Sequence, residues 1–99
     1  MSVCLRDKRR KGQRIPDVEM PNGTWFKVLD IEGMNDLVDT SHFCDAAHAT
    51  PTTAKKMADL VEKWTPPDGW CNGDDREWHK TMKGYIVDFL RNCNGFRSQ

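Results

Sequence analysis

One stretch, residues 74–96 (DDREWHKTMKGYIVDFLRNCNGF), constrains the fold of this 99-residue chain more than any other. Its apolar side chains recur at the spacing of one α-helical face. These side chains are Trp78, Met82, Tyr85, Ile86, Phe89, Leu90 and Cys93. Asp74 is suited to cap the first turn, with Glu77 completing a capping box, and Gly95 allows the left-handed turn that ends a helix. The stretch therefore predicts an amphipathic helix with one buried face, after which Phe96 folds back onto the last turn.

A second helix is predicted directly upstream, over residues 50–64. Thr50 is a favourable N-cap residue, and Pro51 falls at the first helical position, where a missing amide proton costs nothing. The apolar positions that follow have helical spacing and form the predicted buried face. They are Ala54, Met57, Ala58, Val61 and Trp64. Because residues 65–73 contain two prolines and two glycines, we expect the helix to stop there and the two helices to pack as an αα-hairpin.

The strongest strand signal lies in residues 24–31 (TWFKVLDI), which are rich in aromatic and β-branched residues and follow a turn signal at residues 22–23. A lone strand is unstable, so a partner strand must come from residues 37–43 or from residues 15–20. Residues 34–41 have helical spacing, whereas residues 37–43 could also return as a second strand; we favour a short helix or turn here. We therefore predict an α+β fold in which a small β element, centred on residues 24–31, packs on the C-terminal αα-hairpin.

Charge is distributed unevenly, which predicts a basic extended arm at residues 1–23 and a single globular domain at residues 24–99. The net charge is zero, yet residues 6–14 carry six bases and one acid. The bases are Arg6, Lys8, Arg9, Arg10, Lys11 and Arg14. Such a run can neutralise several phosphates, so one alternative function is a small nucleic-acid-binding module. The other interpretation is an arm docked on the chain's own acids.

Acidic residues dominate residues 17–48, where seven acids stand against one lysine. This excess predicts a surface that steers a partner protein, or that mimics nucleic acid. Trp64 and Trp70, beside the corner at residues 66–69, are typical interface anchors, although both would equally cap the layer between the two helices. The candidate partner-binding residues are Asp30, Glu32, Asp36, Asp39 and Trp70.

A zinc site is the sharpest chemical hypothesis, because three possible ligands fall within seven residues. The candidate ligands are His42, Cys44, His48 and Cys71, with His79 or Cys93 as alternatives for the fourth. No paired CxxC is present, so the favoured interpretation treats Cys44 as a small buried side chain, with no bound metal and no cofactor.

No catalytic motif is present in the sequence: a glycine-rich phosphate loop, HExxH, GxSxG and paired carboxylates are all missing. Cys44 with His42 or His48 is the one combination of nucleophile and base. We therefore predict a protein that is not an enzyme.

Hydropathy and cysteine usage bear on location. No apolar run of 18 residues occurs, which excludes a membrane span, and the start MSVCLRDKRRKG has no secretory signal. We expect a cytoplasmic protein whose four cysteines are reduced.

Three features of the C-terminal half together resemble small uncharacterised proteins of actinobacteria and their phages. They are the helix that ends in Trp64, the corner at residues 67–70 (PDGW) and the helix stop at residues 89–96 (FLRNCNGF). The resemblance covers roughly residues 50–96 and implies no activity, catalytic residue or cofactor. Such small proteins are often accessory factors that bind a host protein. We therefore expect a non-enzymatic accessory protein that docks on a partner protein and modulates or blocks it.

Overall fold

Four strands and three helices make up the part of the chain that the computed structural model describes, namely residues 2–38, 47–71 and 75–99. In chain order they are β1 (Ser2–Asp7), β2 (Val18–Pro21), α1 (Asn22–Leu29), a short 3₁₀ helix (Met34–Asp36), β3 (His48–Ala49), α2 (Pro51–Lys63), α3 (Arg76–Asn92) and β4 (Phe96–Ser98). The strands form one antiparallel sheet in the order β2-β1-β4-β3. The predicted α+β fold is confirmed, and no helix in the described ranges is long and apolar enough to cross a membrane.

The C-terminal helices α2 and α3 pack on each other, as predicted. The Thr50 side chain caps α2 by accepting from the Thr53 amide at 3.2 Å. The cap of α3 is Asp75 rather than Asp74, which lies outside the described residues; the Asp75 carboxylate accepts from the Glu77 amide at 3.0 Å. Polar contacts then join the two helices, because the Lys83 ammonium donates to the carbonyls that end α2.

The prediction of a strand at residues 24–31 is wrong, because this segment forms α1. Its buried side chains Trp25, Val28 and Leu29 lie at the i, i+3, i+4 spacing of one helical face, whereas Lys27 and Asp30 are exposed. The prediction relied on the high β-propensity of these residues. Propensity determines secondary structure less strongly than burial of side chains in the folded state does. Asn22, predicted to be in a turn, is the first residue of the helix.

Residues 2–21, which lie in the predicted basic arm of residues 1–23, instead form the hairpin of β1 and β2, and residues 22–23 begin α1. Val3 and Leu5 are fully buried on the inner face and pair with Met20 and Val18. The alternation of these apolar residues with Cys4 and Arg6 is a strand pattern, which the dense charge of the next residues obscured.

The region after α1 agrees with a short helix or turn as far as it is described. Met34 begins the 3₁₀ helix and is fully buried, and Val38 is buried as well. The alternative strand at residues 37–43 falls mostly on residues 39–46, which lie outside the described residues.

Phe96 connects the helical layer to the sheet. Its ring makes edge-to-face contacts with Trp25 at 6.0 Å and with Phe89, in the last turns of α3, at 6.3 Å between ring centroids. The predicted return of Phe96 onto the helix is therefore confirmed. Gly95 makes the reversal possible with a φ of +82°, and a Cβ atom there would lie only 2.6 Å from the Ala49 carbonyl oxygen.

A buried carboxylate, Asp7, holds the N-terminal hairpin against the turn between α3 and β4. It accepts backbone amides from Asn94 at 2.9 Å and Ile15 at 3.2 Å, and it pairs with the Arg9 guanidinium at 3.0 Å. Burial works to raise the pKa of Asp7, but the three backbone donors (the third is the Arg9 amide) together with the Arg9 charge lower this pKa below its usual value. The carboxylate therefore stays ionised and orders the loop that follows β1.

Candidate functional site

An open apolar groove of about 780 Å³ runs between residues 15–21 and α3. Its apolar lining includes Ile15 and Val18 on one side and Met82 and Phe89 on the other. The hairpin of β1 and β2 supplies the first wall, and the edge of the apolar face of α3, with exposed residues beside it, supplies the second. The groove is therefore built from segments that are distant from each other along the chain.

Two aromatic side chains on α3, Trp78 and Tyr85, line this groove with 42% and 54% of their surface exposed. Both were predicted to be buried on the helix stripe, so this part of the prediction is wrong. At about 100° per residue, they fall at one edge of the apolar sector. His79 and Val87, on its other edge, are buried instead. The periodicity identified the stripe, but the residues flanking it decide which side faces the core.

The orientation of Trp78 is fixed by a hydrogen bond. Its indole N–H donates to the Cys71 carbonyl at 3.1 Å. Cys71 is buried at the groove and has a φ of +53°, a left-handed conformation that costs a non-glycine residue about 1–3 kcal/mol. The indole ring is thus held by backbone at the groove, with its apolar surface available for contact.

The charged residues that line the groove are all acidic: Asp17, Glu19 and Asp88. Asp17 is partly compensated, since Arg6 on the outer face of the sheet pairs with it at 3.3 Å. No lysine, arginine or histidine belongs to the described lining. The groove consequently combines an apolar interior with a negative rim.

Strand β2 is an edge strand, so part of its backbone faces away from the sheet. Cys4 exchanges two hydrogen bonds with Gln99, of 3.0 and 2.9 Å, and because bonding directions alternate along a strand, the amides of Val3 and Leu5 face β2. By the same alternation the N–H and C=O of Glu19 point outward. Pro16 and Pro21 flank this position and shorten the free edge.

Of the partner-binding residues predicted from sequence, Trp70 is buried rather than exposed. Trp70 is only 3% exposed; its indole N–H donates to the Thr24 carbonyl at 3.0 Å, and its ring contacts Trp64 and His79. It is a core residue because its polar atom is satisfied internally. The predicted acids Asp30, Glu32 and Asp36 are exposed and do not line the groove, and Asp39 lies outside the described residues.

The zinc hypothesis stays a prediction, since His42 and Cys44 lie outside the described residues. His48 is exposed on β3, and Cys71 is buried at the groove. Among the described residues, no group of three or more His, Cys, Asp or Glu side chains is placed to hold a metal.

Two described cysteines, Cys4 and Cys93, do not favour thiol chemistry, whereas Cys44, the predicted nucleophile, lies outside the described residues. Burial raises the pKa of the Cys93 thiol, and burial together with the charge of Asp17 raises that of Cys4. Both shifts disfavour the reactive thiolate.

The predicted nucleic-acid-binding residues do not lie on a loose arm. Arg6 belongs to β1, and Arg9 is held by Asp7. The remaining bases follow in the loop between β1 and β2, where Lys8, Arg10 and Lys11 are exposed and Arg14 is half-buried.

The comparisons with known proteins identify a family without identifying an activity. A family model described as "Domain of unknown function (DUF7739)" matches residues 1–98. Neither the curated proteins nor the solved structures contain a match.

Proposed function

We propose that this chain, which belongs to the DUF7739 family of domains of unknown function, is a non-enzymatic docking domain that binds a segment of a partner protein in the groove beside α3. The segment carries apolar or aromatic anchors flanked by lysine or arginine. The observation that carries the proposal is that the two large hydrophobic side chains exposed in the described structure, Trp78 and Tyr85, both line this groove.

Tryptophan and tyrosine are the residues that most often dominate protein interfaces. Trp78 and Tyr85 lie two turns apart on the same edge of a helix, so both can contact one bound segment. The Trp78 ring is also held by its hydrogen bond to Cys71. Such preorganised anchors lose little conformational entropy on binding, which favours affinity.

The charge of the rim favours a basic partner segment. Asp17, Glu19 and Asp88 would repel an acidic peptide and attract lysine or arginine beside the apolar anchors. In addition, the outward-facing N–H and C=O groups of Glu19 could form a pair of backbone hydrogen bonds with an extended peptide segment. Apolar contact would supply most of the affinity, and the rim would supply selectivity.

The proposal is tested by selecting a random-peptide display library against the wild-type protein, with counter-selection against Tyr85→Ala. Tyr85 has no hydrogen bond or ion pair in the described structure, so its removal should leave folding intact. We expect enriched peptides that pair apolar anchors with basic flanks, and their affinity should fall about tenfold or more with Tyr85→Ala or Trp78→Ala.

A matched pair of charge variants tests whether the selected peptides bind at the groove or at the acidic surface predicted from sequence. Asp88→Asn, at the groove, should weaken the selected peptides a few-fold, whereas Asp36→Asn, an exposed acid elsewhere, should leave them unchanged. The proposal fails if no selected peptide depends on Tyr85, or if Asp36→Asn has the larger effect. The similarity to actinobacterial and phage proteins, a host protein as the partner, and a cytoplasmic location stay predictions.

A further inference from the structure

The sheet has a buried face and an open face with opposite chemistry. Val3, Leu5 and Phe96 are fully buried on the inner face. The side chains that alternate with them point outward, and these include Arg6, half-buried, and Arg97, exposed. The outer face therefore carries charge where the inner face carries the core.

Strand register brings three basic side chains into one row on this outer face. Arg6 lies directly opposite Arg97, and Arg97 lies directly opposite His48. Neighbouring strands are about 4.8 Å apart, so the three side chains are immediate neighbours across β1, β4 and β3. Sequence analysis could not group them, because Arg97 and His48 are far from Arg6 along the chain.

The opposition of Arg6 and Arg97 is unfavourable for the isolated protein, since like charges directly opposite each other destabilise a sheet. Arg6 is compensated by Asp17 at 3.3 Å. Within residues 2–38, 47–71 and 75–99, the side chains of Arg97 and His48 have no hydrogen bond or ion pair. Arg97 thus presents positive charge that the described part of the molecule leaves uncompensated.

The loop after β1 adds further bases in a fixed position. The Lys8 amide donates to the Gly95 carbonyl at 3.1 Å, and the Arg9 guanidinium donates to the Asn92 carbonyl at 3.2 Å. These contacts hold the loop that carries the exposed Arg10 and Lys11. The basic surface is therefore preorganised rather than a flexible tail.

We propose that this basic row, together with Lys8, Arg10 and Lys11, binds the phosphate backbone of a nucleic acid. This surface is separate from the groove and does not depend on the proposed docking function. The outer face exposes no aromatic side chain among the described residues, so binding would be independent of base sequence. An interface with a protein would instead be expected to have an apolar centre. Two acids border the row on the β2 side: Asp17, just before β2, pairs with Arg6, and Glu19 lies opposite Cys4 on β2. They would confine the nucleic-acid backbone to β1, β4 and β3.

The test measures fluorescence anisotropy of a labelled oligothymidine and of a labelled DNA duplex across a salt series. Wild-type affinity should fall steeply with salt, and Arg97→Gln should lower the slope of log K against log salt by about 0.7 for the single strand and about 0.9 for the duplex. The variant should keep its thermal stability, because it removes one of two opposed arginines. Lys80→Gln, an exposed base at the far end of α3 from β4, is the matched control and should keep the wild-type slope.

Two results would overturn the proposal. One is an equal slope for Arg97→Gln and Lys80→Gln, which would mean that the outer face makes no specific phosphate contact. The other is binding to phosphatidylserine vesicles at a salt concentration where neither oligonucleotide binds, which would assign the surface to an anionic membrane.

Discussion

The groove beside α3 and the basic row on the sheet share the same β1–β2 hairpin, yet they are suited to opposite partners. The groove is concave and apolar, with acids at its rim. The row is flat and charged, with no exposed aromatic side chain among the described residues. The Arg6–Asp17 ion pair lies on the boundary between them. The net charge of zero therefore conceals two surfaces of opposite charge. The groove should bind its ligand by apolar burial, and the basic row should bind by electrostatic attraction.

The turn between α3 and β4 supports both surfaces, because α3 lines the groove and β4 carries Arg97. This turn contains Gly95, and the Asp7 carboxylate accepts a hydrogen bond from the Asn94 amide within it. Substitutions at this turn should weaken binding at both surfaces, whereas a change in salt concentration should weaken binding at one surface more than at the other.

The largest effect is expected from Gly95→Ala. A left-handed φ strains a residue with a Cβ atom, and that atom would clash with the Ala49 carbonyl 2.6 Å away, so we expect a loss of about 3 kcal/mol or more in the free energy of unfolding. Thermal unfolding measures it. Gly12→Ala is the control, because Gly12 also has a positive φ but nothing within 4 Å of its Cβ position. Equal losses in the two variants would show that the contact with Ala49 is unimportant.

Raising the salt concentration should lower the affinity of the basic row for its ligand much more than the affinity of the groove for its ligand. With about three phosphate contacts, oligonucleotide affinity should fall about 100-fold between about 50 mM and about 500 mM salt. A peptide selected on the groove should lose less than about fivefold, because burial of apolar surface is not screened. Titrations of both ligands against one protein preparation make the comparison. Similar losses for the two ligands would contradict the division into an apolar and an electrostatic surface.

A smaller effect is expected from Asp7→Asn, at about 2 kcal/mol near neutral pH, because three backbone amides and the Arg9 guanidinium lose a charged acceptor. The folded state lowers the pKa of Asp7. The contribution of Asp7 to the free energy of unfolding is therefore complete at a pH above the unfolded-state pKa of about 3.9. It is lost as the pH falls through the lower folded-state pKa.

Urea unfolding at about pH 7 and about pH 3 checks this dependence, since the difference between wild type and Asp7→Asn should shrink at the lower pH. The exposed Asp36→Asn serves as control and should change stability by less than about 0.5 kcal/mol. A difference that is constant with pH would argue that packing, and not the carboxylate charge, is what Asp7 contributes.

Local sequence signals are sufficient to predict the C-terminal helices and the α+β class. Thr50 and Pro51 start α2, and the 3.6-residue period of α3 identifies its apolar stripe, because caps and periodicity act within a few residues of the chain. Local signals failed at residues 24–31, where β-propensity favoured a strand although Trp25, Val28 and Leu29 form a helical face. They failed again in the N-terminal hairpin, where basic residues obscured the alternation of Val3 and Leu5.

Contacts between distant parts of the chain determine which residues form the two surfaces. Trp70 and Trp78 are chemically alike, but Trp70 is buried against Trp64 and His79, and Trp78 remains at the groove. Arg6 and Arg97 lie at opposite ends of the chain and become neighbours through strand register. Burial and register depend on contacts between residues distant in sequence, so a local pattern can identify an element but not the surface that the element presents.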